Sequence, residues 1–204
     1  DGIIHSNGTK VTAGSQLIYR YEMPRELLGE LLGFAQDKGL SLGATIGDLD
    51  YYTSPEAVTA HDRRRWGEIN RQFRDPFWLL EFPVGTLAYI GDESGVKLLE
   101  KQFPQVKFPM FGGNMGADVI QRFVSKADGL MRLCRFWDIE PKHTAAFGDS
   151  MNDLEILKAA GIGIAMGNGL AKLKEQADYI TAAIDEDGVY KACEHFRWFM
   201  GFYE

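Results

Sequence analysis

Three oxygen-bearing side chains, Asp149, Asn152 and Asp153, fall within five residues of one another in the segment AAFGDSMNDLEIL. The apolar run before Asp149 reads as a buried strand and the residues after Asp153 as a helix, so Asp149 stands where strand gives way to helix. In open α/β sheets, ligands bind at that carboxyl end, beside helix starts that favour anions. Two carboxylates and an amide at this spacing suit a hard cation. Asp149 would bind it through oxygen, Asp153 would orient it or its water shell, and Asn152 would donate to a phosphate oxygen. Magnesium fits, because it keeps several waters and takes one or two protein carboxylates plus substrate phosphate. Asp, Asn and Ser also favour helix starts, so a plain capping cluster is the competing reading from spacing alone.

The elements that must position these residues follow from periodicity. TAAF, IGIAM and YIT are short and uniformly apolar, which predicts parallel strands buried on both faces, with helices between them. The helix after Asp153 carries Leu154, Leu157 and Ala160, and the next opens at Asn168 with Leu170, Leu173 and Ala177. DVIQRFV and the helix ADGLMRLCRFWDI precede them, giving a doubly wound α/β half. A closing core helix is predicted from Val189, Ala192, Cys193, Phe196 and Phe199.

Upstream, residues 22–116 read differently. Pro24 opens a helix whose Leu27, Leu28, Leu31, Leu32 and Ala35 recur at helical spacing, and Gly39 ends it. LSLGATI, DYY, FWLLEF and TLAYIGD have strand character, Ser54 and Pro55 start a helix, and GVKLLEKQF forms another. Helices over one face of a sheet, an α+β layer, is the expectation. Tyr51, Tyr52, Phe77 and Trp78 are read as core of that layer.

Composition sets limits. At 45% apolar and 25% charged, the 204 residues fall in the ordinary globular range. No run reaches the roughly 20 apolar residues of a membrane span, and DGIIHSNGTK lacks the pattern of a signal peptide, so a cytoplasmic location is expected. A net charge of -7 argues against a nucleic-acid partner. Arg63, Arg64 and Arg65 read as a solvated helix face. Cys134 and Cys193 read as buried thiols.

GDSMNDLEIL resembles the fourth motif of the haloacid dehalogenase superfamily, and its surroundings resemble the Cof-type phosphatases, whose cap is inserted after the third core strand. DGIIHSNGTKV is similar to the strand and Asn-Gly turn before that cap, RFVSKADGL to the third-motif lysine and its helix, and IGIAMGNG with ADYIT to the closing strands. The resemblance covers nearly the whole chain. It implies a Rossmann-like parallel sheet, here lacking its first strands, with an inserted α+β cap. The expected division is 1–21 for the end of the first core part and linker, 22–116 for the cap and 117–204 for the second core half.

The resemblance also implies roles. Lys126 would neutralise the transferring phosphoryl group, Asp149 and Asp153 would serve Mg2+, and Asp153 would act with Lys126 in catalysis. Asn7 and Gly8 would sit at the mouth of the site, although a plain Asn-Gly turn has the same letters. Asn168 has a similar double reading. Asp118 falls where related proteins often carry an acidic residue facing the site, able to bind a substrate hydroxyl.

Family enzymes place their nucleophile in a DxDGT motif, and nothing in these residues matches it. The expectation is therefore a magnesium-dependent phosphatase of small phosphorylated metabolites, sugar phosphates among them, of which this chain holds the cap and the lysine and metal half. A chain of this kind would be inactive alone, and its incomplete sheet would invite self-association. The rivals are a silent binding protein of the same fold or a truncated product, and a phosphomutase.

Overall fold

The structure, a computed structural model, describes residues 1–111, 113 and 115–199. Two compact units divide the chain: a flanking unit of Asp1–Ile18 with Ser125–Glu204, and an inserted unit of Tyr19–Val124.

The chain begins with β1 (Gly2–His5), a 3₁₀ turn at Ser6–Gly8, and β2 (Lys10–Ala13), which returns antiparallel to β1 with Ile4 opposite Val11. β3 (Gln16–Arg20) completes this three-stranded sheet and runs across the boundary between the units.

In the inserted unit, α1 (Arg25–Asp37) buries the predicted stripe of Leu27, Leu28, Leu31, Leu32 and Ala35. Each leucine so buried contributes roughly 1.5–3 kcal/mol. Gly39, at φ +64°, takes the left-handed conformation just past its end. β4 (Ser41–Ile46) and β5 (Leu49–Tyr52) form a hairpin, α2 (Pro55–Arg65) follows, and β6 (Leu87–Ile90) leads to α3 (Glu93–Gln102). β7 (Val106–Lys107) and β8 (Gly116–Gln121) complete a five-stranded antiparallel sheet of order β5-β4-β6-β8-β7. Its core joins α1 and α3 to Leu42, Leu87, Tyr89, Ala117 and Val119.

Two segments depart from the sequence expectation here. FWLLEF is a 3₁₀ helix, Pro76–Glu81, because Pro76 occupies its first turn and the Asp75 carboxylate caps it through Phe77 N at 2.9 Å. Tyr51 and Tyr52 are core, as expected, whereas Phe77 and Trp78 stand exposed on that helix. DVIQRFV, read with the α/β half, pairs instead with β6, Val119 opposite Leu87, so the inserted unit extends to Val124. An apolar strand fits either sheet, and only the partner it meets decides.

Returning to the flanking unit, α4 (Lys126–Trp137) begins after Ser125, whose hydroxyl accepts from Asp128 N at 3.1 Å. β9 (Ala145–Gly148), α5 (Leu154–Ala159), β10 (Ile162–Ala165), α6 (Ala171–Lys174), β11 (Tyr179–Ile180) and α7 (Gly188–His195) follow. The three strands are parallel in the order β11-β10-β9, with β9 at an edge.

Burial is less complete than the apolar composition predicted. Ile164 and Ala165 are fully buried, but Ala145 and Ile180 are exposed at the sheet's two edges. The closing helix buries Ala192 and exposes Val189, and it ends at His195, short of the expected Phe196 and Phe199, while Cys193 is half-buried and Cys134 is buried. Burial raises the Cys134 thiol pKa above its usual value.

Candidate functional site

The GDSMND segment folds around one buried carboxylate. Gly148 ends β9, and a Cβ there would lie 2.5 Å from the Asp153 Cβ, so only glycine lets the strand pass this close. A single 3₁₀ turn, Met151–Asp153, then returns Asp153 beneath the strand end. Its Oδ2 accepts from Asp149 N at 3.0 Å and Ser150 N at 3.3 Å. Its Oδ1 accepts from Lys126 Nζ at 2.5 Å. Asp153 is 7% exposed, so a charge in that position needs these donors.

Lys126 reaches Asp153 because it is the first residue of α4, held by the Ser125 cap. The Ser6–Gly8 turn closes on the same point. Gly8 has φ +96°, and a Cβ on it would lie 2.0 Å from the Ser125 carbonyl oxygen. Asn7, itself left-handed at φ 56°, accepts through Oδ1 from Asn152 Nδ2 at 3.3 Å. The turn expected from the letters Asn-Gly is therefore present and is also tied to the motif 145 residues away.

Asp149 differs from Asp153 in being exposed. Its backbone is fixed on both sides: N–H on Asp153, and the carbonyl accepting from Leu170 N at 2.8 Å. Its carboxylate is thus carried on a rigid frame at the strand end. Among the described residues no group of three or more His, Cys, Asp or Glu is placed to hold a metal. Two carboxylates suffice for magnesium, which takes the rest of its shell from water and phosphate. With both Asp153 oxygens committed to donors, Asp149 is the residue fit to contact a cation and Asp153 the one fit to orient the surroundings.

Asn168 and Asp118 lie on other elements, Asn168 in the loop whose Gly169 packs against Asp149. The Asn168 side chain accepts from Ile184 N at 3.0 Å and so pins the loop after β11. Asp118 lies on β8 of the inserted unit, opposite Ala88, and its backbone N–H donates to Pro109 O at 3.0 Å. Sequence reasoning passed over Ser150, whose hydroxyl donates to Asn152 Oδ1 at 2.5 Å and whose backbone helps hold Asp153. The Ser-x-x-Asp spacing of a capping box was the available signal.

Residues 1–193 match the family described as haloacid dehalogenase-like hydrolase. The chain belongs to that family. Its similarity is to the Cof type. The chain is 30% identical to YkrA of Bacillus subtilis strain 168 over 198 residues, 91% of this chain and 73% of YkrA. It is 38% identical to the 5-amino-6-(5-phospho-D-ribitylamino)uracil phosphatase YitU of the same organism over 79 residues, 39% of this chain and 29% of YitU. The subclass IIB sugar phosphatase BT4131 superposes with a TM-score of 0.83 at 27% identity, over 96% of this chain and 75% of that one. The phosphatase BT1666 of Bacteroides thetaiotaomicron superposes with a TM-score of 0.87 at 24% identity, over 96% and 74%, which bears on the fold alone. The mixed α/β architecture, with its parallel and antiparallel sheets, matches these haloacid dehalogenase-fold structures.

Proposed function

We propose that this chain carries the lysine and metal half of a magnesium-dependent phosphatase for small phosphorylated metabolites, sugar phosphates among them. The observation that carries the reading is the shared use of Asp153 by Lys126 and by the backbone under Asp149. A positive ammonium and an exposed carboxylate are thereby held on one frame, as phosphoryl transfer requires charge stabilisation and positioning more than elaborate proton chemistry. Lys126 would sit against the transferring phosphoryl oxygens, and Asn152 and Asn7 would contribute amide groups at the same point. Asp149 would hold the magnesium ion, which supplies neutralisation of phosphate charge when bound. Gly8 keeps the turn close enough to take part.

The family reaction proceeds through an aspartyl-phosphate. A carboxylate oxygen attacks phosphorus, the alcohol leaves with a proton, and water then cleaves the acyl phosphate. Residues 1–204 contain no DxDGT sequence to supply that carboxylate. We therefore expect no turnover from these residues alone, and the same observation favours a catalytically silent binding protein as the second reading. The edge strand β9 offers pairing with another chain. No helix among the described residues is long and apolar enough to cross a membrane.

The test is phosphate release from a panel of phosphorylated metabolites by the protein expressed from its complete gene, with magnesium or with EDTA. Release that requires magnesium and vanishes in Asp149→Ala is expected. Release unchanged by that substitution would remove the metal assignment, and an isomerised sugar phosphate in place of free phosphate would mark a mutase.

A further inference from the structure

The inserted unit holds a cavity of about 260 Å³ lined by Ala57, Ala60, His61 and Arg64 of α2, by Ile90 and Gly91 at the end of β6, and by Asp92 and Met115. The four α2 residues fall at i, i+3, i+4 and i+7, one stripe of the helix. The helix is anchored by a different stripe, Val58 and Asp62, both 2% exposed. Two alanines thus face the sheet end where a packed helix would ordinarily carry larger apolar side chains.

A packing defect of this origin would be closed and apolar, and such cavities stay dry. This one has polar groups in its wall. The His61 side chain is 10% exposed, with Nδ1 3.6 Å from Asp62 Oδ1. Asp92 is committed to α3: its Oδ1 accepts from Ser94 Oγ, Ser94 N and Gly95 N. Of the three consecutive arginines, Arg63 pairs with Glu68 and Arg65 lies over the Trp66 ring. Arg64 alone has no ion pair or ring partner among the described residues, and it lines the cavity. The volume is just under the roughly 300–1,000 Å³ of sites for drug-sized ligands, so the occupant is small.

We propose that this cavity binds a small organic carboxylate, its apolar body against Ala57, Ala60 and Ile90 and its carboxylate on Arg64, with His61 in the wall. The proposal is independent of the phosphate site in the flanking unit. A guanidinium favours carboxylate through its planar fork of donors, and the alanines leave room for a short hydrocarbon chain.

The test is ligand-observed NMR of the full chain with butyrate, and with butylamine as the cation of similar shape. Saturable butyrate binding with a dissociation constant of about 1 mM is expected, a strength that a ligand of so few atoms can reach. Butylamine should not bind. Arg64→Ala changes an exposed side chain, so the fold should persist while butyrate affinity falls at least about tenfold. Ala60→Leu should fill the cavity and abolish binding. Absence of saturable binding, equal binding of butylamine, or butyrate binding retained in either variant would overturn the proposal.

Discussion

Lys126 and Asp153, 27 residues apart, meet across 2.5 Å with the carboxylate almost wholly buried. The pair joins the start of α4 to the turn after β9, so the charge that would face a phosphoryl group is also a structural tie.

That tie makes stability as well as chemistry depend on Asp153. Asp153→Ala leaves Lys126 Nζ, Asp149 N and Ser150 N without their acceptor. A loss of about 3 kcal/mol is expected, since hydrogen bonds to charged groups are worth roughly 1.5–3 kcal/mol each in net terms and water will recover part. Urea denaturation of the isolated chain checks this, and a midpoint unchanged from the wild type would contradict the buried-pair geometry.

Gly8→Ala should act through backbone rather than charge. The added Cβ would sit 2.0 Å from Ser125 O, at a φ of +96° that L-residues rarely adopt. The expected cost is about 2 kcal/mol or more, and the hydrogen bond from Asn152 to Asn7 should break as the turn moves away. Amide chemical shifts of Asn7, Ser125 and Asn152 would report the displacement, and unperturbed shifts would show that the turn does not dock there.

In the inserted unit, Arg71 bridges two buried carboxylates, Asp62 through Nε at 2.5 Å and Asp50 through Nη1 at 2.8 Å. The Arg71 hydrogen bonds hold the Asp62 pKa below its ordinary value. A depressed folded-state pKa gives stability that is present above the unfolded value, about 3.9, and lost as pH falls through the folded one. Arg71→Met leaves both carboxylates buried without a cation, at an expected cost of about 3–5 kcal/mol near neutral pH. Because the missing cation no longer favours ionised Asp62, the variant should lose less further stability below about pH 4 than the wild type. Thermal melts from pH 7 to pH 3 test both parts, and parallel pH profiles would contradict the bridge.

Much of this arrangement was legible in the sequence where local rules suffice. The leucine stripe of α1, the Pro55 start of α2 and the strand-to-helix step at Asp149 are each set within a dozen residues, by periodicity or by caps. The interactions that organise the rest are not local. Arg71 in a loop meets Asp50 of β5 and Asp62 of α2, and no spacing announces that meeting. β8 has the same apolar letters it would need in a parallel sheet, so its place beside β6 follows from tertiary pairing alone. Asn168 adds another such link: its amide oxygen accepts from Ile184 N, 16 residues away.

We propose that Asp149 holds magnesium on a frame set by Asp153 and Lys126. The direct measurement is a magnesium chloride titration of the 15N-labelled 204-residue chain and of its Asp149→Asn variant, followed through backbone amide shifts. Saturable shifts centred on Gly148, Asp149 and Ser150 in the wild type, absent from the variant, are the predicted result; equal shifts in both proteins, or none in the wild type, would contradict it.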